Sequence, residues 1–129
     1  MNSSTISSEL RRFIHSIASI PQLEAILLLQ QAPEHLWTET TLAQRLYLNK
    51  EQAAAMLKGL YAAGICAPSA QAPDSFIYSP ASIELSELIN QLAIYYPRNL
   101  IAVTNMIHSK ANAGQRVQQF ADAFKFFKD

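Results

Sequence analysis

Apolar residues recur along most of this chain at the three- and four-residue spacing that keeps side chains on one helical face. Over residues 8–18, Leu10, Phe13, Ile14 and Ile17 share a side that Arg11 and Arg12 leave, which predicts an amphipathic helix. Residues 21–32 are apolar on nearly all sides, the pattern of a central core helix. Ser19 or Ile20 precedes Pro21 at a favourable first-turn position, and Pro33 stops the segment. A short helix is expected over 39–47, with Thr38 or Thr40 as N-cap and Leu42, Leu46 and Leu48 pointing inward. Asn49 then caps a helix over 50–63, with Gln52 in the place of its reciprocal partner and Ala53, Met56, Leu57 and Leu60 as the buried stripe. Gly64 ends it, where a left-handed residue satisfies the last carbonyls.

The pattern changes after Gly64. Two β-prone snippets, Ile65-Cys66 and Phe76-Ile77-Tyr78, flank a stretch rich in Pro, Ala and Ser, which predicts a small β-hairpin whose tip has no Lys or Arg. Helical spacing returns over 81–109 through Leu85, Leu88, Ile89, Leu92, Tyr95, Tyr96, Leu100, Ile101, Val103 and Ile107. Pro97 lacks the N–H that the helix needs, but the register resumes at Leu100, so a kinked helix is expected rather than two. "SKANAGQ" marks a break, and residues 116–127 place Val117, Phe120, Ala121, Phe124 and Phe127 on one face of a last helix. The fold class is therefore mainly α with a small β-hairpin, one domain over 1–129, with no internal repeat and no linker.

Two helices and a tight turn, "TETTLAQRLYLNKEQAAAMLKGLYAAGI", preceded by "LEAILLL" and followed by "FIYSP", are the residues that carry a resemblance. The core over 21–79 resembles the winged helix-turn-helix domain of bacterial transcriptional regulators of the MarR-like kind, and "LAIYYPRNLIAVTNMIHSK" with "FADAF" resembles small bacterial winged-helix proteins. The resemblance implies a dimeric DNA-binding regulator whose helix over 50–63 enters the major groove of double-stranded DNA while the hairpin touches backbone or minor groove. It implies Thr40, Thr41 and Arg45 as contacts from the supporting helix, and Asn49, Lys50, Gln52, Ala55 and Lys58 from the reading helix. It also implies that the helices over 8–18, 81–109 and 116–127 build the dimer. The sequence departs from that pattern twice: the reading helix is Ala-rich, and the wing tip has no basic residue.

Charge sharpens this departure. Ten Lys plus Arg balance ten Asp plus Glu, so any attraction to DNA must come from a local patch. Arg45, Lys50 and Lys58 are the cations placed to meet phosphate, Asn49 and Gln52 could bond base edges, and Ala54 or Ala55 could meet a thymine methyl. Asn49 has a competing role as a cap, and the lysines as solvated surface. A second reading follows: a protein–protein interaction module that keeps the scaffold without binding DNA. Leu92, Tyr95, Tyr96, Leu100, Ile101, Phe120 and Phe124 exceed what one small core can hide, which predicts a homodimer interface. A cleft between the kinked helix and the core is a further candidate, for an effector.

His15, His35 and His108 lie on separate elements, and no His, Cys, Asp or Glu cluster has metal-ligand spacing, so no metal and no cofactor are expected. No nucleophile–base pair, phosphate-binding glycine loop or paired carboxylate appears, and no enzyme is inferred. Cys66, the single cysteine, reads as a small buried filler. No disulfide can form within the chain, the N-terminal segment lacks an apolar secretory core, and the apolar runs fall short of the roughly 20 residues a bilayer needs. A cytoplasmic location without membrane insertion is the expectation.

Overall fold

The computed structural model describes residues 6–112. Its elements are α1 (Ser8–Ser16), α2 (Ile20–Gln31), α3 (Glu39–Leu46), α4 (Lys50–Ala62), β1 (Cys66–Pro68), β2 (Phe76–Tyr78), α5 (Ile83–Arg98) and α6 (Leu100–Asn112). The described chain is mainly helical with one small antiparallel sheet. The expected helix over 116–127, with Phe120 and Phe124, lies outside the described residues.

Capping chemistry sets most helix starts. Ser7, Ser19, Thr38, Asn49 and Ser82 each turn a side-chain oxygen onto a backbone N–H of the following helix, an arrangement worth about 1 kcal/mol per cap. At α3 and α4 the cap is reciprocal: Thr41 Oγ1 accepts from Thr38 N at 2.9 Å, and Gln52 Oε1 from Asn49 N at 3.0 Å. Helix α1 ends at Ser16, two residues before the expected end, because Ile17 is extended and the chain then bends by 116° into α2. Gln22, buried at the start of α2, accepts the Ala18 N–H at 2.7 Å and so satisfies the corner.

Helix α2 sits centrally, packed against α3, α4, α5 and β2, with Leu23, Ala25, Ile26 and Leu29 fully enclosed. Around it close Phe13 and Ile14 of α1, Leu42 of α3, Leu57 and Leu60 of α4, Leu85 and Ile89 of α5, and Val103 and Ile107 of α6. Each large apolar side chain removed from water contributes about 1.5–3 kcal/mol. Leu46, Leu48 and Met56, placed inside by spacing, are only half-buried.

Helix α4 ends as its glycine requires. Gly64 stands at φ +81, its N–H reaches Tyr61 O at 3.0 Å, and Ile65 N reaches Leu60 O at 2.9 Å, the paired bonds of a Schellman ending. The hairpin pairs Cys66 with Tyr78, Ala67 with Ile77 and Pro68 with Phe76. Strand β1 thus starts one residue later than expected, at Cys66, while Ile65 packs in the core. On its other edge β2 meets Trp37, whose N–H donates to Phe76 O at 2.8 Å while Phe76 N donates to Trp37 O at 2.7 Å.

The expected single helix over 81–109 is two. Pro97 is tolerated one residue before the end of α5, and the break falls at Asn99. The Asn99 N–H bonds Tyr96 O rather than Tyr95 O, and its side-chain Nδ2 takes Tyr95 O at 2.9 Å. Its own carbonyl accepts Val103 N at 3.0 Å and so opens α6. One asparagine therefore closes one helix and begins the next, and both pack on α1.

Candidate nucleic-acid interface

The candidate contacts lie on α3, on α4 and on the turn that joins them. Thr40, Arg45, Asn49, Lys50, Gln52, Ala55 and Lys58 are all exposed, as the spacing over α3 and α4 requires once Leu42, Ala53, Leu57 and Leu60 face the core. Thr41 differs. It is half-buried and its hydroxyl is engaged with Thr38, which makes it part of the α3 start. The oxygens of Asn49 and Gln52 are spent on each other's backbone N–H groups, at 2.7 and 3.0 Å, leaving their amide nitrogens as donors.

The cations are less isolated than the sequence suggested. The Arg45 guanidinium stands 5.7 Å from the centroid of the Trp37 ring, within reach of a cation–π attraction, and the His35 ring packs on Trp37 with centroids 4.2 Å apart. Lys58 borders a pocket of about 320 Å³ together with Glu39, Asp74 and Phe76. Glu51 follows Lys50 in the first turn of α4. Arg45, Lys50 and Lys58 are thus accompanied by carboxylates: Glu24 borders the same groove as Arg45, Glu51 follows Lys50, and Glu39 and Asp74 border the pocket of Lys58.

Tyr47 was not among the residues singled out by sequence. It is 94 % exposed, the most open of the large apolar side chains, and its backbone is left-handed at φ 58, ψ 43. For a residue with a Cβ this conformation costs roughly 1–2 kcal/mol. The signal available was its place after the last turn of α3, where a glycine or asparagine is the ordinary occupant.

Of the expected dimer contacts, Leu92 is a correction: it is 0 % exposed and belongs to the core, because it shares the inward stripe of α5 with Leu85, Leu88 and Ile89. Tyr95 and Tyr96 are half-buried against that core. Leu100 and Ile101 project from the start of α6, Ile101 with 77 % of its surface exposed, and Ile94 adds to the same apolar region beside the α5–α6 break. Between these helices and the core lies a groove of about 470 Å³, bordered by Glu24, Leu28, Arg45, Tyr96, Pro97 and Leu100. Burial pushes the Tyr96 phenol up, and the Glu24 carboxylate adds to the shift.

Cys66 is enclosed at the start of β1, with Sγ 3.8 Å from Leu57 O. Desolvation pushes its thiol up to about 12, so the thiol stays protonated and unreactive at neutral pH. Among the described residues no group of three or more His, Cys, Asp or Glu is placed to hold a metal, and no single helix is long and apolar enough to cross a membrane. No protein-family model, curated protein or solved structure matches the chain.

Proposed function

We propose that the chain is a winged helix-turn-helix regulator that binds double-stranded DNA as a dimer, with α4 as the reading helix. The observation that carries this reading is the order α2, Trp37, α3, α4, β1, β2, in which Trp37 hydrogen-bonds β2 as a third, one-residue strand. That order matches the one expected of a winged helix. Support also comes from α4, where Lys50, Gln52, Ala55 and Lys58 are exposed, as is Arg45 of α3. Leu100 and Ile101, without the buried Leu92, are the residues we assign to the dimer contact.

The experiment is a fluorescence-anisotropy titration of the full chain with genomic duplex fragments at about 50 mM salt. The expected result is binding that weakens as salt rises and weakens further in Arg45→Ala and Lys50→Ala. Absence of salt-dependent binding would end the proposal. A second reading, a protein-interaction module on the same scaffold, is favoured by one observation: Arg45, Lys50 and Lys58 each have a carboxylate in the same pocket or next in the chain. Under that reading a defined protein partner is lost on changing Leu100 and kept on changing Lys50.

A further inference from the structure

Tyr47 has a backbone that works for the fold and a side chain that does not. Its N–H bonds Ala43 O, and the left-handed turn it makes lets Leu48 N reach Ala43 O at 2.9 Å. Glycine would serve that backbone without strain. The ring, in contrast, makes no hydrogen bond and no ring contact among the described residues, and it stands 94 % exposed. The other non-glycine residue with positive φ is Asp74, a type that tolerates this conformation. Neither packing nor turn geometry accounts for an aromatic residue at position 47.

Along the chain Tyr47 is flanked by groups that suit an anion. Tyr47 precedes by two residues the Asn49 cap of α4 and lies between Arg45 and Lys50 in sequence. The N-terminal N–H groups of α4 add their positive dipole end to this corner. A hydroxyl there is a donor to an anion, and it adds no charge. We propose that Tyr47 is a DNA-backbone contact: its hydroxyl donates to a phosphate oxygen of the duplex while the ring lies along the sugar, fixing the register of α4. This rests on the DNA-binding reading above. It also supplies a hold on the duplex that does not depend on a cation.

The test uses the full chain, the same duplex fragments and two variants, Tyr47→Phe and Tyr47→Gly, with thermal denaturation alongside. Tyr47→Phe is expected to weaken binding roughly tenfold with the salt slope unchanged, since no cation is lost, whereas Lys50→Ala lowers that slope by about 0.9. Tyr47→Gly is expected to bind at least as weakly as Tyr47→Phe and to melt at the same or a higher temperature. Wild-type affinity in Tyr47→Phe overturns the proposal. So does a Tyr47→Gly variant whose loss of binding comes with a lower melting temperature while Tyr47→Phe binds normally, which is the signature of a structural role. If the wild type itself binds no duplex, the DNA reading falls and takes this contact with it; the other two outcomes leave that reading standing.

Discussion

A methyl group at Gly64 would stand 3.0 Å from the Ala81 Cβ, on a backbone already at φ +81. Ala81 cannot retreat easily, because its N–H is bonded to Gly64 O at 2.8 Å. Gly64→Ala is therefore expected to lose about 1–3 kcal/mol of stability, measured by urea denaturation with the slope unchanged. A loss near zero would mean that the loop before α5 shifts freely. The need for glycine at this position was legible in the sequence, since the apolar stripe of α4 stops there and Ile65 resumes it. Tyr47 was not legible by the same logic: its side chain gives no sign of a left-handed backbone, and only the geometry of the turn reveals it.

At the level of helices and strands, the caps were the most readable feature, because a cap is local chemistry between residues three apart. Asn49 and Gly64 stand where the side-chain types placed them, and of the alternatives Ser19 or Ile20 and Thr38 or Thr40 the caps are Ser19 and Thr38. Asn49 also separates two roles by experiment. Asn49→Ala is expected to lower stability by about 1 kcal/mol, and Asn49→Ser to keep most of it, as read by thermal denaturation. If the amide also reads a base edge, Asn49→Ser will bind duplex more weakly despite its stability; equal binding would leave Asn49 as a cap alone. Two features at this scale escaped the sequence for physical reasons. The Trp37 bridge is a single residue, too short for any alternation of faces. The division of α5 from α6 depends on Asn99, two residues past Pro97, taking the Tyr95 carbonyl with its side chain, and the apolar register runs on past it.

For the whole molecule, burial decided what periodicity could not. Leu92 and Ile101 belong to the same apolar pattern, yet one is enclosed on the inward stripe of α5 and the other projects from α6, past the non-helical backbone of Asn99. Charge makes the proposed dimer measurable. Under the DNA-binding proposal, three phosphate contacts per protomer would give a salt slope of about 2.7, and two protomers about 5.4. Ile101→Glu is expected to sediment as a monomer and to bind DNA with the smaller slope; a variant that stays dimeric would place the contact elsewhere.

The single tryptophan of the chain is Trp37, held against β2 and beneath the Arg45 guanidinium. Its intrinsic emission is consequently an optical gauge of the unlabelled protein: anything that draws Arg45 away changes the charge beside the indole, and anything that opens the bridge to β2 wets it.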